Sequence, residues 1–130
     1  MEILRARIEE TATTFVDAML AVHRELGPGL LESTFQACLA HELSLRGIMV
    51  QCEVELPVMY QGMSIEVGYR IDMLVGDCLI VENKTVQALL PVHEAQMLTY
   101  LKLSGHRLGF LVNWNVPRIR DGIKRLVHNL

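Results

Sequence analysis

With 130 residues, 51% of them hydrophobic and 21% charged, the chain is long enough to close one core and too apolar to be disordered. No apolar run approaches the roughly 20 residues needed to cross a bilayer, and the opening MEILRARIEE lacks the apolar centre of a secretory signal. The net charge of −3 excludes a chain dominated by basic side chains, so phosphate binding would need a local basic patch or a bound cation. Cys38, Cys52 and Cys78 are scattered and odd in number, which fits reduced thiols rather than a disulfide framework or zinc site. The five histidines show no H-x3-H or H-E-x-x-H spacing. These features describe one cytoplasmic domain over residues 1–130, with no membrane segment.

The elements follow from periodicity. Between Glu2 and Leu26 the residues Ile8, Ala12, Phe15, Met19, Val22 and Leu26 recur every three or four positions, an amphipathic helix. Gly27-Pro28-Gly29 stops it. A second helix is expected from about Leu31 to Arg46, with Phe35, Leu39 and Leu43 on one stripe and Gly47 as its C-terminal cap. Val50 to Leu56 reads as a strand, with Pro57 at its end. Val58 to Tyr60 and Ile65 to Val67 form a hairpin across Gln61-Gly62. Tyr69 to Val75 and Leu79 to Lys84 form another around Gly76-Asp77-Cys78. Pro91 suits the first turn of a helix reaching about Leu103. Arg107 to Asn113 is a strand containing the apolar run Leu108 to Val112, and Arg118 to Val127 is expected to close the chain as a helix.

The chemistry lies in Asp72-x9-Glu82-x-Lys84. Strand side chains alternate, so Glu82 and Lys84 share a face. A two-residue turn at Gly76-Asp77 would pair Asp72 with Val81, whereas a three-residue loop over Gly76-Asp77-Cys78 pairs Asp72 with Glu82. Hydrophobic patterning leaves the choice open because both faces are apolar, and the three-residue loop is the expectation. It sets two carboxylates side by side among apolar residues, a repulsive arrangement that needs either a proton or a cation. Mg²⁺ or Mn²⁺ suits such an oxygen-lined pocket, and Lys84 beside it could hold an attacking water or stabilise charge on a phosphate. A buried ion pair or a solvated edge hairpin would produce the same pattern without chemistry.

Four further features bear on this site. Glu32 lies in the first turn of the second helix, in line with Gln36, Leu39 and Leu43, and is expected to point toward the packed side. It could equally be an acid favoured at a helix N-terminus. Gln96 and Tyr100, four apart, share one face of the helix after the hairpin and could reach Lys84 or a phosphate; a half-buried amide and phenol in a helix interface is the plainer reading. Arg118, Arg120, Lys124 and Arg125 could contact a nucleic-acid backbone or form a solvated helix face.

Taken together the blocks VHRELGPGLLESTF, Tyr69-Arg70-Ile71-Asp72, Val81-Glu82-Asn83-Lys84, HEAQMLTYLKLSG, LGFLVNW and RDGIKRLV resemble the GxxExxY protein family of the PD-(D/E)xK nuclease superfamily, from about Val22 to Leu126. The resemblance implies an α/β fold: a restriction-endonuclease-like core with a mixed β-sheet flanked by α-helices and acids on adjacent strands. It makes Glu32 the helix acid, Asp72 and Glu82 the metal ligands and Lys84 the catalytic lysine. Gln96 and Tyr100 become the Q-x3-Y element of exonuclease-like branches. Two positions depart from the pattern. Phe35 stands where the family usually has tyrosine, which removes a hydroxyl, and Asn83 replaces an apolar residue, leaving its backbone carbonyl as a metal ligand.

The expected activity is Mg²⁺- or Mn²⁺-dependent hydrolysis of DNA phosphodiester bonds, with Glu32, Asp72, Glu82, Lys84, Gln96 and Tyr100 as site residues and Asp72, Glu82 and Asn83 at the metal. The alternative is a nucleic-acid- or protein-binding module that keeps the nuclease-like fold without turnover. A homodimeric structural domain using an exposed strand edge is a third option.

Overall fold

The computed structural model describes residues 2–130. Helix α1 spans Glu2–Leu26 and α2 spans Glu32–Leu45; strands β1 Val50–Glu55, β2 Val58–Tyr60, β3 Met63–Ile65, β4 Arg70–Val75 and β5 Leu79–Lys84 follow. Helix α3, Pro91–Ser104, leads to β6 Leu108–Asn113, a 3₁₀ turn Ile119–Gly122 and β7 Ile123–Val127. Gly27 and Gly29 both take positive φ, the left-handed backbone that ends α1 and that a side chain would resist.

Five strands form one sheet in the order β1-β4-β5-β6-β7, and β2 pairs with β3 separately. β5 and β6 run parallel while every other pair is antiparallel, so the sheet is mixed. The parallel pair requires a crossover, which α3 supplies. Helices α1 and α2 cover one face. There Phe15, Met19, Phe35 and Leu39 pack on Met73, Val81, Phe110 and Trp114, with Phe35 stacked on Trp114 at 4.8 Å between centroids. Helix α3 covers the other, where Met97, Tyr100 and Leu101 meet Ile71 and Ile80. This is the α/β, restriction-endonuclease-like arrangement that the sequence implies.

Two elements differ from expectation. The small hairpin pairs Tyr60 with Met63, so β3 begins at Met63 and ends at Ile65 instead of running from Ile65 to Val67. Gln61 and Gly62 both have positive φ, the two-residue turn that forces pairing to resume at once. The expected closing helix over Arg118 to Val127 is a 3₁₀ turn followed by a strand. Ile123 and Leu126 mimic a helical spacing, but β7 pairs with the otherwise open edge of β6, from Val112↔Ile123 to Leu108↔Val127. Tertiary pairing overrides the local pattern.

Gly122 fixes this corner. A Cβ there would lie 2.1 Å from the Asn113 carbonyl oxygen, a backbone atom that cannot step aside. Gly109 meets the flexible Met97 thioether, 2.5 Å from the corresponding position. Gly122→Ala is therefore expected to lower stability by about 1–3 kcal/mol, read as a drop in urea midpoint, with Gly109→Ala costing less. A Gly122→Ala protein with a wild-type midpoint would show that the β6-to-turn contact is dispensable.

Candidate active site

The β4–β5 hairpin closes through Val75↔Leu79, so its loop is the three residues Gly76, Asp77 and Cys78. Gly76 and Asp77 both have positive φ. Continuing the register past Met73↔Val81 brings Asp72 opposite Glu82. At that point the carboxylates replace the regular ladder. The Asp72 N–H donates to Glu82 Oε1 at 3.2 Å, and the Asn83 N–H donates to Asp72 Oδ2 at 2.8 Å. Each acid is thus anchored by the partner strand's backbone.

The site is desolvated. Glu82 is only 6% exposed and Asp72 is half-buried. Burial first, then the charge of Asp72, pushes the Glu82 carboxyl up to about 9. Asp72 is also raised, first by burial, against the lowering effect of the Asn83 N–H. Two acids this close share a proton unless a cation replaces it.

The other residues singled out by sequence surround this pair unequally. Lys84, on the same strand face as Glu82, lowers the carboxyls of Glu32, Asp72 and Glu82, yet forms no ion pair among the described residues. Glu32 is exposed on the first turn of α2 and does not join the packed stripe of Phe35, Leu39 and Leu43. Partial burial, then the charge of Asp72, nevertheless raises its carboxyl. On α3 the Gln96 amide donates to the Tyr100 hydroxyl at 2.8 Å. Tyr100 is buried, and its phenol is raised by burial and by Glu82 and Asp72. Its own proton therefore remains available for donation.

The Asn83 side chain turns away from the acids. Its Oδ1 accepts from Trp114 Nε1 at 2.9 Å, and its Nδ2 donates to Gln36 Oε1 at 3.2 Å and to the Met73 sulfur. Only its carbonyl could reach a metal. The side chain instead continues a polar chain through Gln36, whose amide donates to Glu53 Oε1 at 2.9 Å. Buried His23 adds a contact to the Trp114 carbonyl at 3.2 Å. An asparagine between Glu82 and Lys84 thereby ties the acid strand to α2 and β6.

Glu53 is the acid that the sequence reading does not identify. Cys52↔Met73 and Val54↔Ile71 place it opposite Asp72 on β1, giving three acids at one level across three strands. Its backbone is left-handed, at φ 55°. Side-chain alternation also breaks here, because Ile71 packs on the α3 side and Met73 on the α1–α2 side. Strained backbone at a charged cluster is a frequent mark of function. No local signal reveals Glu53, since its position depends on the non-local β1–β4 register.

The basic residues near the C-terminus do not form one surface. Lys124 reaches Glu94 on α3 at 3.3 Å, Arg125 pairs with Glu9 on α1, and Arg118 pairs with Asp121 at 3.4 Å. Successive strand side chains point to opposite faces, so Lys124 and Arg125 are sent to opposite sides of the sheet.

Among the described residues, no three or more His, Cys, Asp or Glu side chains gather closely enough to hold a metal by themselves. The Asp72–Glu82 pair still fits a hard divalent ion, because Mg²⁺ commonly takes one or two protein carboxylates and completes its shell with water and phosphate oxygens. A mixed sheet between helices, with a carboxylate pair and a lysine meeting on adjacent central strands, defines a nuclease-like class of protein. The PD-(D/E)XK nuclease superfamily model matches residues 9–126, and the chain belongs to that superfamily. The crystal structure of SSO0001 has a similar fold, with a TM-score of 0.56 and 19% sequence identity. The match covers 97% of this chain and 62% of that one, so the chain spans less than two thirds of the length of SSO0001. No curated protein matches the chain.

The raised carboxyls have a measurable consequence. A folded-state value near 9 for Glu82, against 4.5 ordinarily, means that the folded protein binds a proton that the unfolded chain releases. This contribution to stability is full below about pH 4.5 and is lost as pH rises through about 9. Metal-free protein should therefore lose stability by up to about 1.4 kcal/mol per pH unit within that window. Glu82→Gln should flatten the slope and be more stable than wild type at pH 8. Parallel urea titrations of the two proteins across pH provide the check, and parallel curves would contradict the shared-proton account.

Proposed function

We propose that the chain is a Mg²⁺- or Mn²⁺-dependent nuclease that hydrolyses phosphodiester bonds of DNA, within the GxxExxY branch of its superfamily. The observation that carries this reading is the desolvated Asp72–Glu82 pair, anchored by crossed backbone hydrogen bonds and accompanied by Lys84 on the same strand face as Glu82. From that face Lys84 acts electrostatically on both carboxyls. Superfamily membership and the fold agree with this chemistry.

Asp72 and Glu82 would hold the divalent ion, with the Asn83 carbonyl as a third oxygen donor. When bound, the ion neutralises the negative charge that builds on the phosphate oxygens. Lys84 orients the attacking water and stabilises charge developing on the phosphate as the water oxygen bonds to phosphorus, its proton passing to solvent, and the departing ester oxygen takes up a proton from solvent. Glu32 acts through a water at the mouth of the site. Gln96 fixes the Tyr100 hydroxyl, and the phenol proton is donated toward a phosphate oxygen. The three free cysteines agree with action in the reducing cytoplasm, and no helix among the described residues is long and apolar enough to cross a membrane.

A second reading also has a specific observation behind it. With Arg118, Lys124 and Arg125 paired to acids, and no cluster of three or more metal-binding side chains among the described residues, the alternative is a non-hydrolytic binding module.

Activity separates the two. Purified protein should cleave DNA with Mg²⁺ or Mn²⁺, and Lys84→Ala should reduce kcat by about 10²–10³-fold, the usual cost of removing one group that stabilises transition-state charge. Inactivity on single- and double-stranded DNA and RNA with both ions would favour the binding module. Cleavage unaffected by Lys84→Ala would point to a contaminant.

A further inference from the structure

A groove of about 540 Å³ opens between α3 and the segment from β2 to Tyr69, and the charges of Glu82 and Asp72 act on one of its walls, Tyr100. Its walls include Val58, Tyr69, Thr99 and Leu103, and it shares Gln96 and Tyr100 with the candidate active site. Its size is that of a small-molecule site. No Asp, Glu, Lys or Arg is among its lining residues, although the chain carries a net charge of −3. Apart from His93, no lining side chain readily carries a charge, so the groove suits a flat, uncharged group attached to something that reaches the acids.

Tyr69 supplies the flat surface. The residue is 47% exposed, and its ring stands 6.3 Å from that of Tyr100 at an interplanar angle of 60°. That tilt is not a stack, so Tyr69 is left able to receive another ring. Gln96 and Thr99 add amide and hydroxyl groups that can meet the polar edge of a base.

We propose that this groove is a subsite for one unstacked nucleobase next to the cleaved phosphate, and that the substrate strand is single-stranded or frayed there. The inference rests on the nuclease reading for the shared site. A paired base exposes only its edges in the grooves of a duplex, whereas a splayed base offers the face that an aromatic side chain can stack upon. Continuity through Gln96 and Tyr100 selects a nucleotide of the bound strand as the occupant rather than an unrelated apolar ligand.

The test uses the full chain with Ca²⁺ in place of Mg²⁺ and a hexanucleotide carrying 2-aminopurine at each position in turn. One position should be quenched on binding, and single strands should bind more tightly than blunt duplex of the same sequence. Tyr69→Ala should weaken binding by about five- to a hundred-fold, the range for losing one base–aromatic stack, and Tyr69→Phe should restore it. Leu103→Glu, on the rim, gives a second variant should Tyr69→Ala unfold. An oligonucleotide that is abasic at the quenched position removes the base contact, so wild type and Tyr69→Ala should cleave it equally with Mn²⁺, which reports the acid pair apart from the groove. Equal oligonucleotide affinity in wild type, Tyr69→Ala and Leu103→Glu would overturn the subsite, as would a preference for blunt duplex. So would self-association that Leu103→Glu abolishes, which would identify a second copy of the chain as the occupant. Base quenching without any ester hydrolysis would support the subsite and overturn the hydrolase reading.

Discussion

At the centre of the sheet, two carboxyl groups occupy positions where the β4–β5 ladder would otherwise continue. Asp72 takes the Asn83 N–H, and Glu82 takes the Asp72 N–H, so each acid is fixed by the strand opposite it. Burying two carboxyls together opposes folding unless a proton or a cation intervenes. The surrounding structure makes that burial tolerable. Trp114 and Gln36 hold the Asn83 side chain on the far face, and Asn113 anchors the segment after β5 through the Val86 N–H and carbonyl. Neither acid can turn outward to water without giving up a backbone hydrogen bond.

The rest of the fold serves that geometry. The parallel pairing of β5 with β6 continues through the bond from the Trp114 N–H to the Lys84 carbonyl, which holds the lysine's backbone next to the acids. Helix α3, packed closely over Gly109, brings Gln96 and Tyr100 to the same region. Helix α2 enters from the opposite face with Glu32 on its first turn. Strand β1 adds Glu53 at the level of Asp72. The charges of the hairpin acids are felt by both Glu32 on α2 and Tyr100 on α3.

Much of this was legible in the chain itself. The α1 stripe, the Gly-Pro-Gly stop, Pro91 opening α3 and the glycine-containing loop of the hairpin all rest on local chemistry, and they predict the observed elements. Gly76 and Asp77 carry the positive φ values that a three-residue loop requires, and this loop brings Asp72 level with Glu82. The misreading of β7 and the omission of Glu53 share one cause. The residues of β7 alternate poorly and carry helical spacing, and only the open edge of β6 makes them a strand. Glu53 became visible only through the β1–β4 register. Glu32 lies on an apparent stripe with Leu39 and Leu43, yet it sits at the exposed start of α2. Long-range pairing decides β7 and the place of Glu53, and local pattern does not encode it.

Metal occupancy between the two carboxyls is the most direct test of this account. In crystals soaked with Mn²⁺, anomalous diffraction should show a peak within bonding distance of oxygens from both Asp72 and Glu82, and Asp72→Asn crystals should lose it. Crystals with full Mn²⁺ exposure and no peak at this pair, or with Lys84 seated between the carboxyls instead, would contradict it.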